Sequence, residues 1–500
     1  MADYDLAIIG GGINGTGLAR DAAGRGLRVL LVEQNDLASG TSSASTKLIH
    51  GGLRYLEHGA FRLVREALHE REVLLQMAPH VIRPLRFMLP PMPGRRSALL
   101  LRLGLFVYDM LGGRKLLPAT RSVDLTHHPV GQPLNRSLRY GFEFSDCLVD
   151  DARLVVLNAL DAAERGAVIR TRTRCSRAER RDEWELVLNM RGRREVATAR
   201  VLVNAAGPWI GEVADTVIRR PLPSPVRLVK GSHIVVPRHF EHDIGYLLQA
   251  ADKRVVFVLP FAQNFTLIGT TDENFVGDLN SPAPDPDEIV YLCKTVNEYF
   301  RDKITPDELI WSFAGVRSLY DDGADKPEDV TRDYVLTLDE AHGEAPLLTI
   351  YGGKITTYRR LAEAVMGRIG HFFGALPPWT AGSTLPGGDF PVDGFYALVA
   401  EAIGRWPFLD ELHARRLVRA YGRRIERFLG QAQSMDDLGP RFAGDLTGAE
   451  VRYLVENEWA QSAEDVLWRR SKLGLNATLE DRDVLGQFIA SLLAAQQRLH

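Results

Sequence analysis

The strongest constraint on this chain lies in its first 33 residues. YDLAII at 4–9 is a short apolar run of the kind that forms a buried parallel strand. Gly10, Gly12 and Gly15 follow in GxGxxG spacing. A helical stretch runs from about Asn14 to Gly24, and a second apolar run, LRVLLVE, ends in Glu33. Gly10 permits the tight turn, Gly12 lets a pyrophosphate approach the backbone, and Gly15 lets the helix pack closely on the strand. The helix N-terminus favours an anion, and Glu33 can accept hydrogen bonds from ribose hydroxyls. This strand–turn–helix–strand setting predicts dinucleotide binding. By itself it does not separate FAD from NAD.

At 500 residues the chain exceeds one compact domain. Its 45% apolar and 25% charged composition is that of a soluble globular protein. No apolar run is long enough to span a bilayer, and a net charge of −3 gives no reason to expect nucleic-acid binding. Cys147, Cys175 and Cys293 are odd in number and far apart, which fits a reducing compartment. No zinc spacing or HExxH occurs, so no metal is expected. The N-terminus enters a strand pattern at once and has no signal-peptide character. A cytoplasmic protein is expected.

Residues 39–56, SGTSSASTKLIHGGLRYL, combine dense hydroxyls with Lys47, His50, Gly51 and Gly52. A loop of that make-up points to a ligand rather than to a simple polar connection. Residues 146–215 return to α/β character, and residues 225–345 alternate strand-like runs with one helix near 285–302. Residues 346–370 give a strand, a Gly-Gly turn and a helix. A Pro/Gly linker covers about 376–394. Residues 395–495 are largely helical, with Trp406, Trp459 and Trp468 expected as core anchors.

A family likeness is carried by GGGINGTG, SSASTKLIHGGLRYLEHG, FEFSDCLVDDARL, VNAAGPW, KGSHIVVPR, IGTTD, GVRSLYDD, TRDYVLTL and GGKITTYR, in that order. Together they resemble the FAD-dependent, quinone-linked glycerol-3-phosphate dehydrogenases of bacteria. EWAQSAEDVLWRRSKLGL extends the likeness into the C-terminal region. The resemblance implies an α/β fold with a discontinuous FAD-binding domain of the glutathione-reductase type (1–75, 146–215 and 346–375). It adds an antiparallel-sheet substrate domain (76–145 and 216–345) and a helical C-terminal domain (385–500). It implies oxidation of sn-glycerol 3-phosphate to dihydroxyacetone phosphate by non-covalent FAD, with electrons passed to a membrane quinone. It leaves homo-oligomer formation open.

The resemblance also assigns roles. Phosphate binding falls to Arg317, Arg332 and Arg54 with Tyr55, because the guanidinium fork matches phosphate oxygens. His233, His50 and His58 are the candidates for the proton of the C2 hydroxyl, since an unperturbed imidazole suits a general base. His233 leads, a structural histidine being the equal alternative, and His58 doubles as a substrate ligand. Gly353, Lys354 and Thr356, opening the last helix of the domain, are expected at the flavin, where an amide cluster and a Lys charge would stabilise a reduced anionic ring. Lys354 can also reach the substrate oxygen. Thr41, Ser42, Ser43, Lys47, His50, Gly51, Gly52 and Gly207 complete the expected FAD contacts, with Cys175 touching the adenine through its backbone.

Residues 94–116, GRRSALLLRLGLFVYDMLGGRKL, carry Arg95, Arg96, Arg102, Arg114 and Lys115 around an apolar run. This reads as a segment lying in the interface of an anionic membrane, at the inner face of the cell membrane. A buried core helix is the alternative. Three rival functions stay open: an oxidase that delivers electrons to oxygen, an NAD-dependent dehydrogenase, and a flavoprotein kept as a binding module.

Overall fold

In a computed structural model, the structure describes residues 2–499 except 114, 322, 324–332, 342 and 375. Two sheets organise the first 370 residues. The nucleotide sheet runs in the order Val335–Asp339, Leu347–Tyr351, Arg193–Asn204, Tyr4–Ile9, Val29–Val32, Val168–Arg170. Its inner pairs are parallel, with Leu6 opposite both Val201 and Val29. These strands are apolar without alternation because both faces are covered, one by helices and the other by the antiparallel pair Thr173–Arg180 and Trp184–Met190 with the segment Val213–Ile218. Helices Ile13–Gly24, Asp151–Glu164 and Tyr358–Ile369 pack together against the sheet. Helix Asp151–Glu164 is capped by Asp150, whose carboxylate accepts from the Arg153 N–H at 3.2 Å.

The first helix sits so close to its strand that a Cβ on Gly15 would lie 2.0 Å from the Gly10 carbonyl oxygen. Gly10 itself holds φ +119, where an L side chain is strained and would strike Ala205. The expected strand–turn–helix unit is thereby present in its strictest form.

The second sheet has ten strands and is antiparallel except where Gly245–Gln249 runs parallel to Ile82–Leu89. Two strands lie across the expected boundaries. Leu48–Ile49, inside the 1–75 segment, pairs with Tyr140–Val149 of the second sheet. Val335–Asp339, inside the 216–345 segment, pairs with Leu347–Tyr351 of the nucleotide sheet. Short runs carry no label for the sheet they join, because sheet membership depends on long-range pairing.

The C-terminal region is helical, including Phe395–Arg405, Glu411–Tyr421, Gly448–Asn457 and Leu479–Leu499, around its own apolar core. Of the three tryptophans expected in that core only Trp406 is buried there. Trp468 packs on the margin of that core and also meets Trp311 of the second sheet, ring centroids 4.4 Å apart, whereas Trp459 packs on the core of the nucleotide domain. Both are docking residues. A buried ionic network completes the docking: Arg470 forks onto Asp36 with two bonds of 2.8 Å, and Arg153 pairs with Glu458. Breaking one partner of such a pair strands a buried charge and costs about 3–5 kcal/mol.

Helix Ala98–Gly112 departs from the usual amphipathic rule. Leu101, Leu105, Tyr108 and Gly112 face inward, yet Leu99, Leu100, Leu103, Phe106 and Met110 are exposed. Arg95 and Arg96, expected to meet lipid headgroups, are instead engaged by Glu298 and Glu57.

Candidate active site

A cavity of about 590 Å³ is lined from both sheets. At one end lie Gly10, Gly12, Glu33, Thr41, Ser42, Cys175 and Gly207. The Glu33 carboxylate is aimed by backbone amides: one oxygen accepts from the Gly11 N–H at 2.7 Å, the other from the Asn35 N–H at 2.8 Å. Burial pushes its carboxyl up and the two amides oppose that shift. The Ser42 hydroxyl accepts from the Ile13 N–H at 3.0 Å, which ties the serine loop to the helix start. The Cys175 thiol, raised to about 12 by burial, contacts the Arg177 carbonyl at 3.5 Å. A free thiolate is therefore not offered to the cavity.

At the other end the wall is made of charged side chains. Arg317, on strand Trp311–Tyr320, donates to Asp272 at 2.7 Å, and Arg54 donates to the second Asp272 oxygen at 3.4 Å. The Lys354 ammonium lies 3.7 Å from the centroid of the Tyr55 ring. His50, Gly52, Gly353 and Thr356 are also on the wall. The His50 ring is held at about 3 by burial and by the charges of Lys354 and Arg71. The turn before helix Tyr358–Ile369 is tied back to the first helix, Asn14 donating to the Gly352 carbonyl at 3.0 Å.

Several expected site residues stand off this wall. Lys47 is buried under the serine loop, where it binds Asp151 at 2.8 and 3.0 Å and the Ser43 carbonyl at 2.9 Å. It braces the loop from below, and Ser43 belongs to the same brace. Gly15 lies beneath the turn and Gly51 is packed against Leu68. His233 sits one layer back, its Nε2 3.0 Å from the Thr46 hydroxyl and its ring stacked on Phe313. Thr46, not His233, lines the cavity. The premise of an unperturbed imidazole also fails, because burial and the charges of Lys47 and Arg317 hold His233 at about 3. The His58 side chain and Arg332 lie outside the described residues.

Asp272, Thr270 and Thr46 line the cavity without having been singled out. A signal existed for two of them, since TTD directly follows the apolar strand Phe265–Gly269.

The residues present fit an FAD: the Gly10 and Gly12 backbone opens on the cavity without side chains, and Glu33 is an acid aimed by amides. Fold and site together define a two-domain flavin-dependent oxidoreductase with a helical C-terminal domain. The chain belongs to the FAD dependent oxidoreductase family, whose model matches residues 5–359, and residues 379–497 match the C-terminal domain of alpha-glycerophosphate oxidase. It is 50% identical to a glycerol-3-phosphate dehydrogenase of Pseudomonas aeruginosa, over 99% of this chain and 97% of that one. It is also 50% identical to a D-erythritol 1-phosphate dehydrogenase of Brucella abortus, over 96% of both chains, and 46% identical to the aerobic glycerol-3-phosphate dehydrogenase of Escherichia coli, over 100% and 99%. Among solved structures, the glycerol-3-phosphate dehydrogenase of Bacillus halodurans complexed with FAD aligns with a TM-score of 0.75 at 25% identity, covering 99% of this chain and 95% of that one.

Proposed function

We propose that this chain oxidises sn-glycerol 3-phosphate to dihydroxyacetone phosphate with non-covalently bound FAD. The observation that carries the reading is the meeting of Arg317 and Arg54 on Asp272 in the wall of the cavity that Lys354 and the dinucleotide turn also line. One carboxylate orients two guanidinium forks, and such forks bind phosphate oxygens bidentately. Bound FAD supplies the hydride acceptor. Arg317 and Arg54 hold the phosphate and thereby fix C2, and Lys354 would supply a positive charge to the C2 oxygen and to a reduced flavin. The Thr46 hydroxyl would take the C2 proton only in relay, handing its own proton to Nε2 of the uncharged His233, 3.0 Å behind it. His233 thus acts through Thr46 rather than on the substrate.

The electrons pass to a membrane quinone. The cavity wall continues into Leu100, Leu101, Leu103, Gly104 and Val107 of the helix whose outer face is apolar and exposed. Among the described residues no helix is long and apolar enough to cross a membrane. The Ala98–Gly112 helix therefore lies in the interface of an anionic membrane at its cytoplasmic face, with exposed Arg102 toward the headgroups. Apolar side chains, rather than Arg95 and Arg96, supply the contact.

The Brucella relative favours a second substrate, D-erythritol 1-phosphate, which offers the same phosphate end with one more hydroxylated carbon. Anaerobic dye-linked turnover on both compounds tests the reading. A higher kcat/KM on glycerol 3-phosphate is expected; a higher value on the erythritol ester would transfer the assignment, and turnover of neither would refute it. Stoichiometric peroxide in air would replace the quinone by oxygen.

A further inference from the structure

The helix that exposes its apolar face is joined to the flavin site by a buried polar chain. On its inner side Tyr108 is 2% exposed. The phenol oxygen accepts from the Gly51 N–H at 2.8 Å, and its hydrogen points to Asp146, whose oxygens lie at 2.8 and 2.9 Å. Arg71 closes the chain, donating to Asp146 at 2.6 Å and to the Ser145 carbonyl at 2.8 Å. Burial and the Asp146 charge raise the phenol far above its ordinary range, so it stays protonated and can donate. The Gly51 amide also faces Asp146 itself. Buried chains of this kind fix geometry because each member would be left unsatisfied by a shift.

Packing enforces the same connection. A Cβ on Gly51 would lie 2.8 Å from the Tyr108 ring and 2.4 Å from Leu68. Leu68 and the Tyr108 ring together leave no room for a side chain at Gly51. Its neighbours His50 and Gly52 both line the cavity, and so does Asp146. His50 in turn exchanges contacts with Thr356, N–H to hydroxyl at 3.3 Å and hydroxyl to carbonyl at 3.4 Å, in the turn that carries Lys354. A continuous path runs from the exposed helix through Tyr108 and the 50–52 loop to the turn expected at the flavin ring.

We propose that Tyr108 is a positioning residue that fixes the His50–Gly52 loop at the flavin ring from the helix bearing the exposed apolar face. The proposal rests on the reading of this cavity as the FAD site, which acid release of FAD from the purified protein tests separately.

The experiment compares the holoenzyme with Tyr108→Phe and with Leu105→Ala, which loosens the same helix without touching the hydrogen bond. Anaerobic titration reads the flavin potential, and hydrogen exchange reads the peptide covering residues 48–53. In Tyr108→Phe, exchange in that peptide is expected to rise about tenfold. The flavin reduction equilibrium should shift at least about tenfold, equivalent to about 30 mV for two electrons. KM should stay within about twofold while kcat falls. In Leu105→Ala, stability should drop with the potential unchanged. Wild-type exchange and potential in Tyr108→Phe would overturn the proposal, and so would an equal shift in Leu105→Ala, which would reduce Tyr108 to packing. Should the phenylalanine variant fail to accumulate, Asp146→Asn carries the test, since it weakens the acceptor of the phenol at constant size: it should show the same shift, and wild-type behaviour there would overturn the proposal.

Discussion

The two ends of the cavity are built by different means. At the nucleotide end the working groups are backbone: the Gly10–Gly12 turn, the amides that aim Glu33, and the start of helix Ile13–Gly24, all within 35 residues. On the part of the wall proposed to bind substrate they are the side chains Arg54, Asp272, Arg317 and Lys354, drawn from four separated stretches. A backbone site is defined by what cannot be added to it. A side-chain site is defined by what cannot be taken away, and it can be retuned without losing the cofactor.

The largest expected effect breaks the backbone end. Gly15→Ala places a methyl 2.0 Å from the Gly10 carbonyl. Overpacking costs up to about 3 kcal/mol even where side chains can yield, and a backbone carbonyl yields less. FAD binding should weaken at least about a hundredfold, with activity lost in parallel; apoprotein titration with FAD checks this. A variant that stays yellow at wild-type stoichiometry would mean the turn is not the cofactor cradle.

Arg317→Lys tests the other end. An ammonium cannot reproduce the fork, and charge-assisted hydrogen bonds are worth about 1.5–3 kcal/mol. The value of kcat/KM on glycerol 3-phosphate should fall at least about tenfold with FAD content unchanged. Glycerol, which lacks the phosphate, is the control. Equal losses on both compounds would move Arg317 from phosphate binding to the reacting C2 oxygen.

A third contrast concerns the outer face of the same cavity wall. Phe106 and Met110 are each 60% exposed and do not line the cavity. Replacing both by Glu should reduce pelleting with anionic vesicles about tenfold or more, while dye-linked turnover stays within about twofold. Unchanged pelleting would remove this helix from the membrane contact.

The smallest effect is in pH dependence. His50 and His233, both at the substrate end, are held at about 3. Between that value and pH 6.5 the unfolded rings bind a proton that the folded rings do not. Their contribution to stability is complete above pH 6.5 and is lost as pH falls, by about 1.4 kcal/mol per ring at pH 5.5. Denaturant midpoints should fall over that range in wild type and fall less in His233→Gln.

The same contrast explains what was legible in the sequence. GxGxxG with Glu33 is a local code, because strand, turn and helix are contiguous, and the structure reproduces it residue by residue. Arg317 and Lys354 were reachable only through ordered motifs, since nothing in a single arginine among 52 marks it for phosphate. His233 was misplaced because a strand sequence does not say whether Thr46 stands between it and the cavity. Lys47 was misassigned because its partner Asp151 is 104 residues away. Asp272, the last residue of the IGTTD motif, carries no assigned role in the sequence because holding two arginines is a relation that exists only after folding.

The most direct test of the central claim is anaerobic mixing of the purified yellow protein with sn-glycerol 3-phosphate. The flavin absorbance should bleach fully, glycerol should leave it intact, and Arg317→Lys should bleach only at much higher substrate concentration. An absorbance unchanged by glycerol 3-phosphate, in protein carrying its full complement of FAD, would contradict the account.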